Sequence, residues 1–176
     1  MEPRSRHSDL SDLAPTFHQR EVLSPVRPDI IVAERRWRAA VPDLERRIGR
    51  TVDATCRWLG AARAPSILLE NDRAVQRLNH DFRGRNKPTN VLTFDAMPGG
   101  GDGDIVLGYE TVRREALASR KTVGAHLMHL VVHGILHLAG HDHHAAGEAR
   151  VMEGLETRIL QQLGVANPWR AGKISL

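Results

Sequence analysis

Residues 1–27 are rich in Ser, Pro, Arg and Asp and carry no apolar periodicity, so they read as a disordered extension. Pattern begins with DIIVA (29–33), a β-branched run expected to form a short strand. In VPDLERRIGRTVDATCRWLG, Leu44, Ile48, Val52, Cys56 and Leu59 recur at helical spacing, with Pro42 suited to a first turn. SILLE (66–70) reads as a second strand, and Asn71-Asp72 as the cap of a helix through LNHDF. VLTF (91–94) and DIVLGY (104–109) are the third and fourth strands, joined by PGGGDGD as a loop or hairpin connection. A helix through TVRREALAS follows, then the long apolar segment VGAHLMHLVVHGILHLAG. The last helix spans about 145 to 163, with Val151, Met152, Leu155, Ile159, Leu160 and Leu163 as its buried stripe, before NPW.

Four short strands interleaved with about five helices predict an α+β fold with a small mixed four-stranded sheet. The segment VGAHLMHLVVHGILHLAG is apolar on almost every side, which marks it as a central, buried helix. The expected organisation is one domain over 28–170, flanked by the extension 1–27 and a tail 171–176. No internal repeat interrupts it.

Composition narrows the chemistry. Aromatic residues make up only 4% of the 176, so aliphatic packing must supply most of the core. The single cysteine, Cys56, excludes an internal disulfide and a Cys-rich zinc knuckle, which fits a reducing cytoplasm. Any metal must therefore be held by His, Asp or Glu. A net charge of +4 and a pI near 10 tolerate a polyanionic partner without demonstrating one. The amino end lacks the apolar core of a signal peptide, and no segment has the uninterrupted apolar length of a membrane span. A soluble, cytoplasmic protein with no membrane partner is the expectation.

The central helix carries the most specific signal. His126, His129, His133 and His137 fall within about 80° of arc on one face. Burying imidazoles unpaired would cost a few kcal/mol apiece, roughly, so that face needs partners. HGILHLAGHDHH (133–144) matches the H-x-x-x-H-x-x-G-x-x-H spacing of zinc proteases. His133 and His137 are one turn apart, Gly140 permits a left-handed exit, and His143 can return as a third ligand. Three histidines without a cysteine favour an open, catalytic Zn²⁺ site of one ion per chain, other divalent metals being possible. His129 is a candidate cavity or hydrogen-bonding residue, and Asp142 a candidate carboxylate orienting a ligand imidazole.

Gly134 stands where the proteases carry the glutamate that serves as general base. Peptide hydrolysis by that route loses its base. Zinc alone still lowers the pKa of bound water from about 15.7 to about 7. A glycine also permits close approach of a bulky substrate, and no carboxylate there repels a phosphodiester. The departure points toward phosphate esters.

A second stretch, LNHDFRGRNKPTNVLTF (78–94), sets Arg83, Arg85 and Lys87 on a loop between a helix and a strand. Guanidinium and ammonium groups there suit a phosphate backbone. This stretch, the GDIV run with its downstream E-x-x-x-R-E-A, and H-x-x-V-H-G-x-L-H-L-x-G-x-D-H together resemble the bacterial YbeY endoribonucleases, from about residue 28 to NPW. By position, the family's metal ligands fall on His133, His137 and His143, and its essential arginine on Arg83. The chain departs at His141, where the family commonly has tyrosine, and residues 1–27 lie outside the resemblance.

The resemblance implies a single-strand-specific, zinc-dependent endoribonuclease acting in ribosomal RNA processing, including maturation of the small-subunit rRNA 3′ end, and in ribosome quality control. The implied fold is an α+β layer with a mixed four-stranded sheet. Implied partners are RNA, the small ribosomal subunit, a small-subunit ribosomal protein and the Era GTPase. In this reading Arg83 stabilises charge on the phosphorus in flight, while Arg85 and Lys87 track the backbone. Two other readings stay open. One is a ribosome-associated RNA-binding or assembly factor with a structural metal. The other is a metzincin-like metallopeptidase, supported by ligand spacing and Met152 but lacking the glutamate.

Overall fold

The computed structural model describes residues 25–96, 102–141 and 146–169. Within them, β1 (Ile30–Val32), β2 (Ser66–Glu70) and β4 (Asp104–Gly108) run parallel. β3 (Val91–Phe94) pairs antiparallel with β4, Thr93 opposite Ile105, giving the order β1-β2-β4-β3. Around this sheet lie α1 (Arg36–Ala40), α2 (Leu44–Leu59), α3 (Asp72–Arg83), α4 (Tyr109–Ala118), α5 (Val123–Leu138) and α6 (Ala146–Gln162). The expected α+β fold with a mixed four-stranded sheet is the observed one.

Strand alternation sends neighbouring side chains to opposite faces. Ile67 and Leu69 of β2, with Ile105 and Leu107 of β4, join the main core built with α2, α5 and α6. Val106 and Leu92 point the other way, where Val75 and Leu78 of α3 and Phe94 complete a smaller cluster. The central helix is α5. Ten of its residues are buried, and it packs on α2, α4, α6, β3 and β4. No helix among the described residues is long and apolar enough to cross a membrane.

Several expectations needed correction. α1 is a sixth helix, too short to show a period in sequence. It is held by Trp37, which is fully buried, donates Nε1–H to the Glu70 carbonyl at 3.2 Å and meets the Tyr109 ring edge-on at 5.2 Å. α2 begins at Leu44 after Asp43 in a left-handed conformation (φ 52°), so Pro42 lies outside its first turn. Val26, inside the stretch read as a disordered extension, is in the core, and its N–H donates to Asp53 Oδ1 at 2.9 Å. On α6, Val151 is 59% exposed rather than part of the stripe; Met152, Glu156, Ile159 and Leu160 are buried.

Gly134 belongs to the fold before it belongs to any chemistry. It is buried against β4, where a Cβ would lie 3.0 Å from Ile105 Cδ1 and 3.2 Å from Ile105 Cγ2. The close approach that glycine permits is therefore that of the sheet, not of a substrate. Gly134→Ala is expected to lose about 1 kcal/mol in urea unfolding, because overpacking of about 1–3 kcal/mol outweighs roughly 1 kcal/mol of helix propensity. Ile105→Val removes the nearest atom, so the same alanine should cost less in that background. Strict additivity of the two changes in a double-mutant cycle would refute this contact.

Candidate functional site

The four histidines of α5 form a ladder, as their spacing predicted. Ring centroids are 6.0 Å apart for His126 and His129, 6.3 Å for His129 and His133, and 4.5 Å for His133 and His137. The helix starts at Thr122, whose Oγ1 accepts the Ala125 N–H at 3.1 Å. It ends in a Schellman turn: Gly140, at φ 84°, donates to the His137 carbonyl at 2.9 Å, and His141 to that of Leu136 at 3.0 Å. This is the left-handed exit expected of Gly140. His143 and Asp142 lie outside the described residues.

His133 and His137 turn their Nε2 atoms toward each other at 3.0 Å. On its other side, His133 Nδ1 is 2.7 Å from Glu156 Oε1. Glu156 comes from α6, is 1% exposed, and was not singled out from the sequence. Its Oε2 also meets His129 Nε2 at 3.1 Å and accepts the Trp169 Nε1–H at 3.0 Å. Burial works to raise this carboxyl's pKa, but the bonds from His129 and His133 prevail and hold it at about 2. The carboxylate is thus an acceptor only, which puts the His133 proton on Nδ1 and leaves Nε2 as the lone-pair side.

That arrangement fits a metal ion. A neutral imidazole anchored at Nδ1 by a carboxylate presents Nε2 as a ligand in a fixed orientation. Nitrogens bound at ~2.0–2.1 Å to a tetrahedral zinc ion stand roughly 3.3 Å apart, close to the 3.0 Å seen here. His129 is not at that meeting point. It lies between His133 and the Trp169 ring, whose centroid is 5.5 Å away, and shares Glu156. Trp169 is seated by the loop before it: Asn167 Oδ1 accepts its N–H at 2.8 Å, and Lys121 Nζ donates to the Pro168 carbonyl at 2.9 Å.

Glu156 did leave a trace in the sequence. It stands four residues after Met152, three before Ile159 and four before Leu160, in the middle of the apolar stripe of α6. A carboxylate at such a position needs donors, and the histidine face of α5 supplies them.

At the start of the ladder, His126 Nε2 meets Glu115 Oε2 at 2.8 Å, and Asn90 Nδ2 donates to the same oxygen at 3.0 Å. Burial pushes the His126 imidazole below its ordinary value, against the pull of Glu115. Through Asn90 the histidine helix is tied to the chain that leads into β3.

The basic loop is anchored rather than loose. Arg83 closes α3, and its Nη2 donates to the Thr93 carbonyl of β3 at 2.8 Å. Asn79, buried on α3, donates Nδ2–H to the Lys87 carbonyl at 2.7 Å, and Gln76 Nε2 donates to Asn86 Oδ1 at 2.9 Å. Arg85 and Lys87 are exposed. Next to Thr93, the Phe94 carbonyl lies 2.7 Å from where a Cβ of Gly103 would stand, and Leu138 Cδ2 lies 3.0 Å from the same point. Leu138 follows His137. The end of β3 therefore receives both Arg83 and the end of the histidine helix.

Residues 33–164 match the family model described as Endoribonuclease YbeY. A Gluconobacter oxydans protein named Endoribonuclease YbeY is 54% identical over 176 residues, covering 98% of this chain and 94% of its own. One of the same name from Nitrobacter winogradskyi is 42% identical over 159 residues, 83% of each chain. The solution structure of TM1509 from Thermotoga maritima superposes with a TM-score of 0.53 at 23% identity, over 84% of this chain and 99% of that one, and so supports the fold. With the motif order, the sheet and these matches in agreement, the chain belongs to the Endoribonuclease YbeY family.

Proposed function

We propose that the chain is a zinc-dependent endoribonuclease that cuts single-stranded regions of ribosomal RNA, in maturation of the small-subunit rRNA 3′ end and in ribosome quality control. The observation that carries the reading is the convergence of His133 and His137 at 3.0 Å with Glu156 fixing the His133 tautomer. His133, His137 and His143 hold the ion in this proposal. When bound, zinc supplies a Lewis acid for a phosphate oxygen and acidifies water.

The chain's own residues do the rest. Glu156 is a positioning residue, acting through the His133 ring rather than on RNA. Arg83 spends one N–H on the Thr93 carbonyl, which steadies a guanidinium with five donors and leaves others for a phosphate whose charge rises during displacement. Arg85 and Lys87 hold flanking phosphates. The partners fitting this role are the small ribosomal subunit, one of its proteins and the Era GTPase, and its setting is the cytoplasm.

The test compares wild type, chelator-stripped protein, Arg83→Ala and His137→Ala on a small-subunit rRNA fragment with a single-stranded 3′ end. Cleavage is expected to vanish on chelation, return with zinc, and fall by about 10²–10³ in Arg83→Ala. Cleavage indifferent to chelation would overturn the metal; tight binding without cleavage would make the protein an assembly factor. End chemistry decides the nucleophile: 5′-phosphate with 3′-OH means water, and a 2′,3′-cyclic phosphate means the RNA's own 2′-OH.

A second prediction concerns Glu156. Glu156→Gln, which cannot accept from three donors as a carboxylate does, is expected to weaken zinc affinity by about 10–100-fold in competition with a chelating dye. An unchanged affinity would deny Glu156 that role.

A further inference from the structure

Two of the open concavities on the described surface lie away from the histidines of α5, and both contain arginine. In the larger, of about 550 Å³, Arg36 is matched by Glu34 and Glu110, and Arg114 donates to Thr111 Oγ1 at 2.9 Å. Of its three arginines, Arg36 is paired with carboxylates, while Arg113 stands exposed on α4, away from the loop of Arg85 and Lys87. The other, of about 400 Å³, is lined by Arg73, Gln76, Arg77, His80, Asp81 and Asn86. Its one carboxylate, Asp81, lies against His80 Nδ1 at 3.1 Å. Arg73 and Arg77 are exposed and have no carboxylate within ion-pair distance among the described residues.

Position makes these cations a track. Arg73, Arg77 and His80 stand four and three residues apart, on one stripe along the outer face of α3. Four residues of helix advance about 6 Å, comparable with the separation of successive phosphates in an extended strand. The stripe leads to the loop that carries Arg85 and Lys87. That loop is fastened to the same helix by Asn79 and Gln76, so helix and loop form one preformed surface. At its end stands Arg83, held at the end of β3 beside the end of α5.

We propose that the outer face of α3, through Arg73 and Arg77, is a backbone-binding track for single-stranded RNA that feeds the strand toward Arg83. The inference rests on the RNA-cleaving reading and extends it to nucleotides outside the reacting bond. A track of this kind binds phosphates without reading bases, so its contribution is electrostatic, sequence-tolerant and salt-dependent.

The experiment measures affinity of the full chain for a labelled single-stranded RNA across a salt series, with cleavage followed in parallel. Arg73→Gln/Arg77→Gln is compared with Arg38→Gln/Arg46→Gln, which removes the same charge from side chains paired with Glu45 and Asp43 elsewhere on the surface. Two lost phosphate contacts should make the slope of log affinity against log salt shallower by about 1.4, at about 0.7 per contact, while the control keeps the wild-type slope. Equal slopes in the two variants would overturn the track, whether or not RNA is cut. A wild-type protein that binds but does not cleave, with the slope still dependent on Arg73 and Arg77, would support the track and refute the nuclease reading. Failure of wild type to bind RNA would refute both.

Discussion

A buried carboxylate is costly unless its oxygens are occupied, and Glu156 meets that condition by drawing three donors from two other parts of the chain to itself. Its donors are His129 and His133 on α5 and Trp169 beyond α6. Met152, Ile159 and Leu160, on the same stripe of α6, join the main core. Breaking one side of a buried, charged arrangement of this kind costs about 3–5 kcal/mol, because the remaining groups stay buried without partners. The interaction that docks α6 is thus also the one that assigns the His133 proton. Docking of α6 and orientation of the His133 ring share one residue.

The second constraint is the contact of α5 with the sheet. A helix crossing β4 at Gly134 can lie close enough for Ile105 to touch its backbone, and that distance sets where its histidine face stands. Leu138 rests at the start of β4, beside the end of β3, where Arg83 is also held. The histidine face of α5 and the guanidinium of Arg83 thus meet at the end of β3, with no direct contact between them required.

Much of this was legible in the sequence, for identifiable reasons. The four strands and the longer helices announced themselves because burial on a sheet or helix imposes a period. His133 and His137 were legible because two residues one turn apart must share a face whatever surrounds them. α1 was not, since five residues cannot show a period and Trp37 owes its burial to Glu70 and Tyr109, far along the chain. Val151 was misread because the α6 stripe is completed by Glu156, a residue type that ordinarily marks the solvent side. The hold of Arg83 on Thr93 depends on strand placement, which local pattern does not contain.

The spacing shared with zinc proteases now has a physical explanation for its missing glutamate. In this fold position 134 faces Ile105 rather than the histidine ladder, so a carboxylate there would enter the core instead of approaching a reacting group. Glu156, the buried carboxylate that does reach the ladder, has both oxygens engaged by N–H donors and is no free base. The likeness to the proteases is therefore one of ligand spacing, not of acid–base machinery. In the proposed reading, what remains among the described groups is lone-pair donation by His133 and His137 to a metal and fixed positive charge at Arg83. Those are the needs of phosphoryl displacement, where charge on the equatorial oxygens, rather than a proton on a leaving amine, is the main thing to stabilise.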